Sequence, residues 1–319
     1  MTGKAKKEPQ GATPAPDQTP SRNAAKAARR EAMRAQMLRD QAKARRTARL
    51  KTTGVVAIVV VIVVAVGVGI GLSIGGGGGG KGSASTALDS SVEKAITGVS
   101  GDVIDAVGAG GGVSISKPVA LSGAPALTSD GKPRVLYVGA EYCPYCAAQR
   151  WAVVNALSRF GTFTHLGQTT SSASDIDPST ATLSFHGATY TSDYLSFTGV
   201  EQTTNQPDGN GGYKPLDSLS AADQKILDTY DTKQYVGSDG GIPFIDYGGK
   251  YASSGASYDP ATLQGLSHAD IAKDLSDPSS TVTKSIVGTA NVITATLCKL
   301  TDQKPANVCT AAGVKAAAS

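Results

Sequence analysis

The hydrophobic pattern changes sharply along this chain. Residues 1–51 carry almost no large apolar side chains, whereas 54–74 read almost wholly Val, Ile, Ala, Gly and Leu without one charge. About 20 apolar residues at 1.5 Å rise cross the ~30 Å hydrocarbon core of a bilayer, so 54–74 is predicted as a single transmembrane helix. The unbroken glycine run at 75–80 opens a flexible linker over 75–87. Glycine leaves φ/ψ unrestricted and offers no side chain to pack.

Beyond residue 88 the pattern alternates between helical and strand periods. Val92, Ile96, Val99, Val103 and Val107 recur at three- or four-residue spacing, predicting a broken amphipathic helix stopped by Gly108 and the glycines at 110–112. Residues 117–130 form an irregular lead-in. The run 134–140 is short, apolar and β-forming, as for a strand buried on both faces. Residues 147–157 favour helix, with Trp151, Val154 and Leu157 on one face. A strand over 162–166 and a polar loop over 171–180 come next. Alternating runs at 181–186 and 189–200 around Gly187 predict a hairpin. After a turn-rich loop at 205–212, Ser220 is placed to cap a helix through Tyr230. Residues 242–251, turning at Gly248-Gly249, predict a second hairpin. Short and long helices follow over 267–275 and 280–300, the longer with Val282, Ile286, Ala290, Ile293 and Leu297 on one stripe. The alternation predicts an α/β domain over 88–319.

Charge sharpens this division. Residues 1–51 hold 14 Lys/Arg against four acids, while the remainder holds 16 against 22. The arm cannot bury enough apolar surface to offset chain entropy and is expected to be disordered. Charge alone admits a nucleic-acid partner, but the arm has no aromatic residue and the adjoining apolar run accounts for its charge. No nucleic acid is expected. Lys/Arg excess marks the cytoplasmic side, so the chain is expected to cross the cell membrane once, through 54–74, with its N terminus inside and the C-terminal domain outside. A cleaved signal peptide fits less well, because the basic region is too long and the apolar run exceeds the usual length of about 7–15 residues.

All four cysteines follow the span, on the oxidising side, where an even number fits disulfide chemistry. Cys143-Pro144-Tyr145-Cys146 stands between the strand at 134–140 and the helix at 147–157. A helix N-terminus presents unpaired N–H groups and partial positive charge, which favour thiolate over thiol. Cys143 is therefore expected to be an exposed nucleophile, Cys146 its resolving partner, and Pro144 suits the first helical turn. Zinc would need about four ligands, yet the nearest other cysteine is Cys298, and His165, His186 and His268 lack ligand spacing. Neither metal nor cofactor is expected. A purely structural bridge between Cys143 and Cys146 would close too small a loop to stabilise much. Cys298 and Cys309 flank a polar loop and read as a structural disulfide, with a second redox pair as the alternative.

Strand, CPYC turn, helix and the later Ile242-Pro243 resemble the thioredoxin superfamily. The runs at 138–148, 156–161, 184–187 and 242–245, with Cys298-Lys299-Leu300-Thr301, are similar to an uncharacterised family of membrane-anchored bacterial and archaeal thioredoxin-like proteins. That family is a domain of unknown function, and the resemblance covers roughly residues 90–310. It implies a thioredoxin-like fold in which Pro243, in a cis bond after Ile242, opens a strand beside the dithiol and exposes backbone groups to a bound peptide. Ile242, Pro243, Pro144 and Tyr145 are then expected to contact substrate. Tyr137 stands where thioredoxins carry a buried acid; Glu141 is the nearest carboxylate, read as a substitute for it or as a solvated residue. The interval between Cys146 and Pro243 exceeds a minimal thioredoxin, so an insertion is expected at about 168–235.

These readings together predict a membrane-anchored, extracytoplasmic thiol–disulfide oxidoreductase. Its partners would be thiols and disulfides of exported proteins and a redox partner that recycles the dithiol. The alternatives are a non-enzymatic scaffold of the same fold and a redox sensor signalling through the basic arm.

Overall fold

The computed structural model describes residues 85–318. The basic arm (1–51), the apolar span (54–74) and most of the linker lie outside those residues. Among the described residues no helix is long and apolar enough to cross a membrane.

The chain begins with strand β1 (Thr86–Ala87), then helices α1 (Ser90–Thr97) and α2 (Gly101–Val107). These are the two halves of the broken amphipathic segment. Asp89 caps the first by accepting from Ser91 N–H, and Ser100 caps the second by accepting from Val103 N–H. Their apolar positions Val92, Ile96, Val103 and Val107 are buried. Short strands β2 (Val119–Ala120) and β3 (Thr128–Ser129) interrupt the irregular lead-in before β4 (Lys132–Gly139) and α3 (Pro144–Leu157). Strands β5 (Gly161–Thr164), β6 (Gly167–Thr170), β7 (Ala181–Ser184), β8 (Thr189–Ser192) and β9 (Ser196–Glu201) follow. Next come the β10 (Thr203–Pro207) and β11 (Tyr213–Pro215) hairpin, α4 (Ala221–Tyr230) and α5 (Lys233–Val236). The hairpin of β12 (Phe244–Tyr247) and β13 (Tyr251–Ser254) precedes α6 (His268–Asp274). Helices α7 (Thr281–Leu300), α8 (Ala306–Cys309) and α9 (Ala312–Ala318) complete the described chain.

Strand β4 organises the main sheet of six strands, as its apolar run predicts. It pairs in parallel with β9 on one side and antiparallel with β12 on the other; β13 and β2 extend the sheet beyond β12. A parallel pair needs a long crossover, which begins with α3. Side chains of β4 alternate between two cores. Val135 and Tyr137 join Trp151, Ala152, Ile286 and Val287 on the side of α3 and α7, whereas Leu136 and Val138 join Leu227 and Phe244 on the side of α4. Gly248 and Gly249 both take positive φ, as the β12–β13 turn requires.

Three expectations are corrected. The runs at 181–186 and 189–200 do not pair with each other: β7 pairs with β6, β8 with β5, and β9 with β4. Phe163, Phe185, Tyr190 and Phe197 draw these pieces around a common aromatic cluster, with ring centroids 4.8–6.0 Å apart. The interval read as an insertion, 168–235, is not wholly additional, because it supplies β9. Finally, α7 is buried far beyond one stripe, with Thr283, Ser285, Thr289, Asn291 and Thr294 enclosed as well. It is surrounded because α3 lies against it and because α2 and α9 close from the other direction. Asn291 ties it to α2 by donating to the Ile104 and Gly108 carbonyls at 2.9 and 2.8 Å.

Candidate functional site

The dithiol sits where β4 hands over to α3. Cys143 is the N-cap of α3, with its Sγ accepting from Cys146 N–H at 3.3 Å. Pro144, whose missing N–H has no partner to lose there, occupies the first turn. Both cysteines are free thiols, and Cys143 Sγ donates to the Ile242 carbonyl at 3.7 Å. The Ile242–Pro243 peptide bond is cis and leads into β12 beside β4. Ala140, Cys143, Cys146 and Ile242 form a small apolar cluster against which Tyr142 and Tyr145 pack. The structure thus gathers Cys143, Pro144, Tyr145, Cys146, Ile242 and Pro243 at one place. Cys298 and Cys309 form a disulfide between α7 and α8, with Cα atoms 5.7 Å apart.

The expected exposure of Cys143 is wrong. It is fully buried, as are Pro144 and Ile242, while Tyr142 and Tyr145 remain half-buried above them. Burial pushes the Cys143 thiol well above its ordinary value, and the Cys146 thiol beside it acts in the same direction. The Cys146 N–H and the Arg150 guanidinium act the other way but are outweighed. Helix-end stabilisation of a thiolate is therefore present and smaller than the desolvation that opposes it.

Beneath the dithiol lies a buried polar layer. Arg150, one helical turn beyond Cys146, donates from Nε and Nη2 to the two carboxylate oxygens of Glu201 at 2.8 and 2.6 Å. Both side chains are fully buried. Arg150 Nη2 also donates to the Ala140 carbonyl at 2.7 Å, and that carbonyl accepts the Cys143 N–H at 3.2 Å. The guanidinium thus braces the turn that carries the dithiol. Glu141 is enclosed rather than solvated, accepting from Ser184 Oγ at 2.7 Å, and burial raises its carboxyl pKa. From Glu201 the layer continues outward: its N–H donates to Asp217 Oδ2 at 3.1 Å, and Asp217 Oδ1 lies 2.7 Å from His186 Nδ1 at the surface. Among the described residues no group of three or more His, Cys, Asp or Glu side chains is placed to hold a metal ion.

The family model described as Domain of unknown function (DUF929) matches residues 118–299. This chain belongs to the DUF929 family. No curated protein and no solved structure matches it. The DUF929 match takes in the dithiol, Arg150, Glu201, Ile242, Pro243 and Cys298, whereas Cys309 lies beyond it.

The DUF929 site is covered on one side and opens to a cavity on the other. The ring of Tyr142 stacks on Tyr213 of the β10–β11 hairpin, with centroids 4.1 Å apart and planes inclined by 6°. Ser172 N–H fixes the same turn by donating to the Tyr142 carbonyl at 2.8 Å. On the Ile242 side a cavity of about 80 Å³ is lined by Tyr145, Gly241, Ile242, Ser254, Ser257 and Tyr258. Sequence reasoning missed Arg150, Glu201 and Tyr213. The only charge in the helix-forming run 147–157 was a legible signal for Arg150. Glu201 and Tyr213 join the site only through long-range pairing.

Proposed function

We propose that this chain is a thiol–disulfide oxidoreductase with a thioredoxin-like fold, anchored in the cell membrane and acting outside the cytoplasm on exported proteins. The observation that carries the reading is the pair of free thiols in the first turn of α3, with Cys143 Sγ facing the Ile242 carbonyl. The strand order β9-β4-β12-β13, with the dithiol after β4, supports the thioredoxin-like assignment. The basic arm next to the apolar run at 54–74 supports the topology.

In the reducing direction, the Cys143 thiolate attacks one sulfur of a substrate disulfide. The substrate S–S bond breaks, its other sulfur leaves as a thiolate and takes a proton, and a mixed disulfide remains on Cys143. The Cys146 thiolate then attacks Cys143 Sγ and expels the second substrate sulfur. Two electrons pass to the substrate, and Cys143–Cys146 becomes the disulfide; the same steps reversed oxidise a substrate dithiol. A second dithiol or disulfide protein must return the pair to its starting state. Pro243 and Ile242 orient the substrate chain, and Pro144 and Tyr145 border it.

The test is insulin reduction and dithiol-peptide oxidation by the wild type and by Cys143→Ser. Loss of both activities in the variant is expected; identical behaviour of the two proteins sinks the reading. The burial and raised thiol of Cys143 favour a second reading, a binding module whose dithiol stays locked. A dithiol that resists redox titration, with a partner still bound by Cys143→Ala/Cys146→Ala, selects that alternative.

A further inference from the structure

The cavity beside Ile242 has no part in the exchange steps above. It measures about 80 Å³, room for several water-sized groups, and its lining is rich in hydroxyls. Ser114, Ser116, Ser238, Ser254 and Ser257 all contribute to it. Among the described residues no acidic or basic side chain does so. The Asp231 carboxylate stands behind the rim, where it accepts the Gly241 N–H at 2.9 Å.

Two of its walls belong to the dithiol site. Tyr145 of the CPYC turn forms one, and Ile242, whose carbonyl accepts from Cys143 Sγ at 3.7 Å, forms another. Hydrogen bonds to the same elements hold the remaining walls. Gly255 N–H donates to the Pro243 carbonyl at 2.9 Å, Ser254 Oγ to the Gly241 carbonyl at 3.3 Å, and the Tyr258 hydroxyl to the Ala148 carbonyl of α3 at 2.7 Å. Gln149, one turn beyond Tyr145 on α3, accepts the Ser257 N–H on Oε1 at 2.8 Å. Its side chain is fully buried, and its Nε2 has no hydrogen-bond partner among the described residues. The cavity is therefore a preformed recess, with an unpaired amide donor behind its Ser257 wall.

We propose that this recess is a subsite for one side chain of the substrate peptide, beside the cysteine that reacts with Cys143. It takes a short, uncharged, hydrogen-bonding residue: serine, threonine or asparagine. Its use by substrate rests on the dithiol exchange proposed above. A serine hydroxyl both donates and accepts, and so do these three side chains, whereas a carboxylate only accepts and an ammonium only donates. A charge placed here would lose its water without meeting a counter-charge in the lining. Leucine would strip water from the hydroxyls and leave them unpaired. Selection of this kind works through the hydrogen bonds that a wrong side chain leaves unmade.

The test measures binding of labelled peptides to the full wild-type chain by fluorescence anisotropy. In each peptide a serine stands for the substrate cysteine, which excludes covalent capture. The residue on either side of it is varied among serine, threonine, asparagine, aspartate, lysine and leucine in a glycine background. The first three are expected to bind about tenfold tighter than the last three, the scale of an unmade hydrogen bond. Ser116→Leu, at an exposed position on the rim, should fill the recess and abolish that preference. Ser257→Ala removes a single hydroxyl; it should reduce the preference and keeps the test decisive if the Leu variant misfolds. Equal affinities, a preference for a charged or apolar side chain, or a preference that survives both substitutions unchanged overturns the proposal. Insulin turnover by the wild-type chain is scored separately. Peptide preference without turnover would refute the exchange reading and leave the recess standing as a binding site, whereas turnover without preference would refute the subsite.

Discussion

A guanidinium enclosed by protein is stable only when its desolvation is offset by a well-aligned partner, and Arg150 has one in Glu201. Removing one member leaves the other as a buried, uncompensated charge. Arg150→Met is therefore expected to cost about 3–5 kcal/mol in urea unfolding, whereas Arg150→Met/Glu201→Gln should recover most of that loss. If single and double variants are equally unstable, the two charges do not act as one unit. The Ala140 carbonyl gives a second readout. With Nη2 gone from it, the turn holding Cys143 loses its brace, and dithiol reactivity should change even in the stability-rescued double variant.

Among the elements, the β10–β11 hairpin lies over the turn that carries the dithiol. Its Tyr213 stacks on Tyr142, which packs over Cys143 and Cys146. Tyr213→Ala should free that cover and raise the alkylation rate of Cys143 about tenfold, since an offset aromatic pair contributes about 0.5–1.5 kcal/mol beyond its buried area. An unchanged rate would place the barrier elsewhere in the turn. Local elements were readable in the sequence because their signals are local. Ser220 announces a helix start, the glycines at 248–249 announce a hairpin, and an apolar run followed by CPYC announces strand and helix. The parallel partner of β4 was not readable. Residues 189–200 alternate like half of a hairpin, and nothing in that run says that Ser196–Glu201 will cross back to β4. Glu201 was hidden with it, as was the burial of Cys143, which depends on a cover brought in from more distant sequence.

At the scale of the whole molecule, stability should carry a pH signature from the middle of the sheet. Asp246 of β12 is buried, and burial raises its pKa from 3.8 to about 6, although its Oδ1 accepts the Gly249 N–H at 2.6 Å. Between those values the folded chain keeps a proton that the unfolded chain has released. Its contribution is therefore fully present at the acid end, declines as pH rises from about 4 to about 6, and is level above. Asp246→Asn should remove that decline, read as the difference between wild-type and variant unfolding free energies over the same range; parallel curves would refute it. The β4–β9 pairing has a kinetic consequence as well. The whole segment between Gly139 and Ser196 separates the two strands along the chain, so a long loop must close before this ladder gains any reward. High contact order of this kind slows folding and prolongs the time for which the strand edges stand open to other chains. The vulnerable period is then the passage to the first native sheet, before there is any dithiol site to protect.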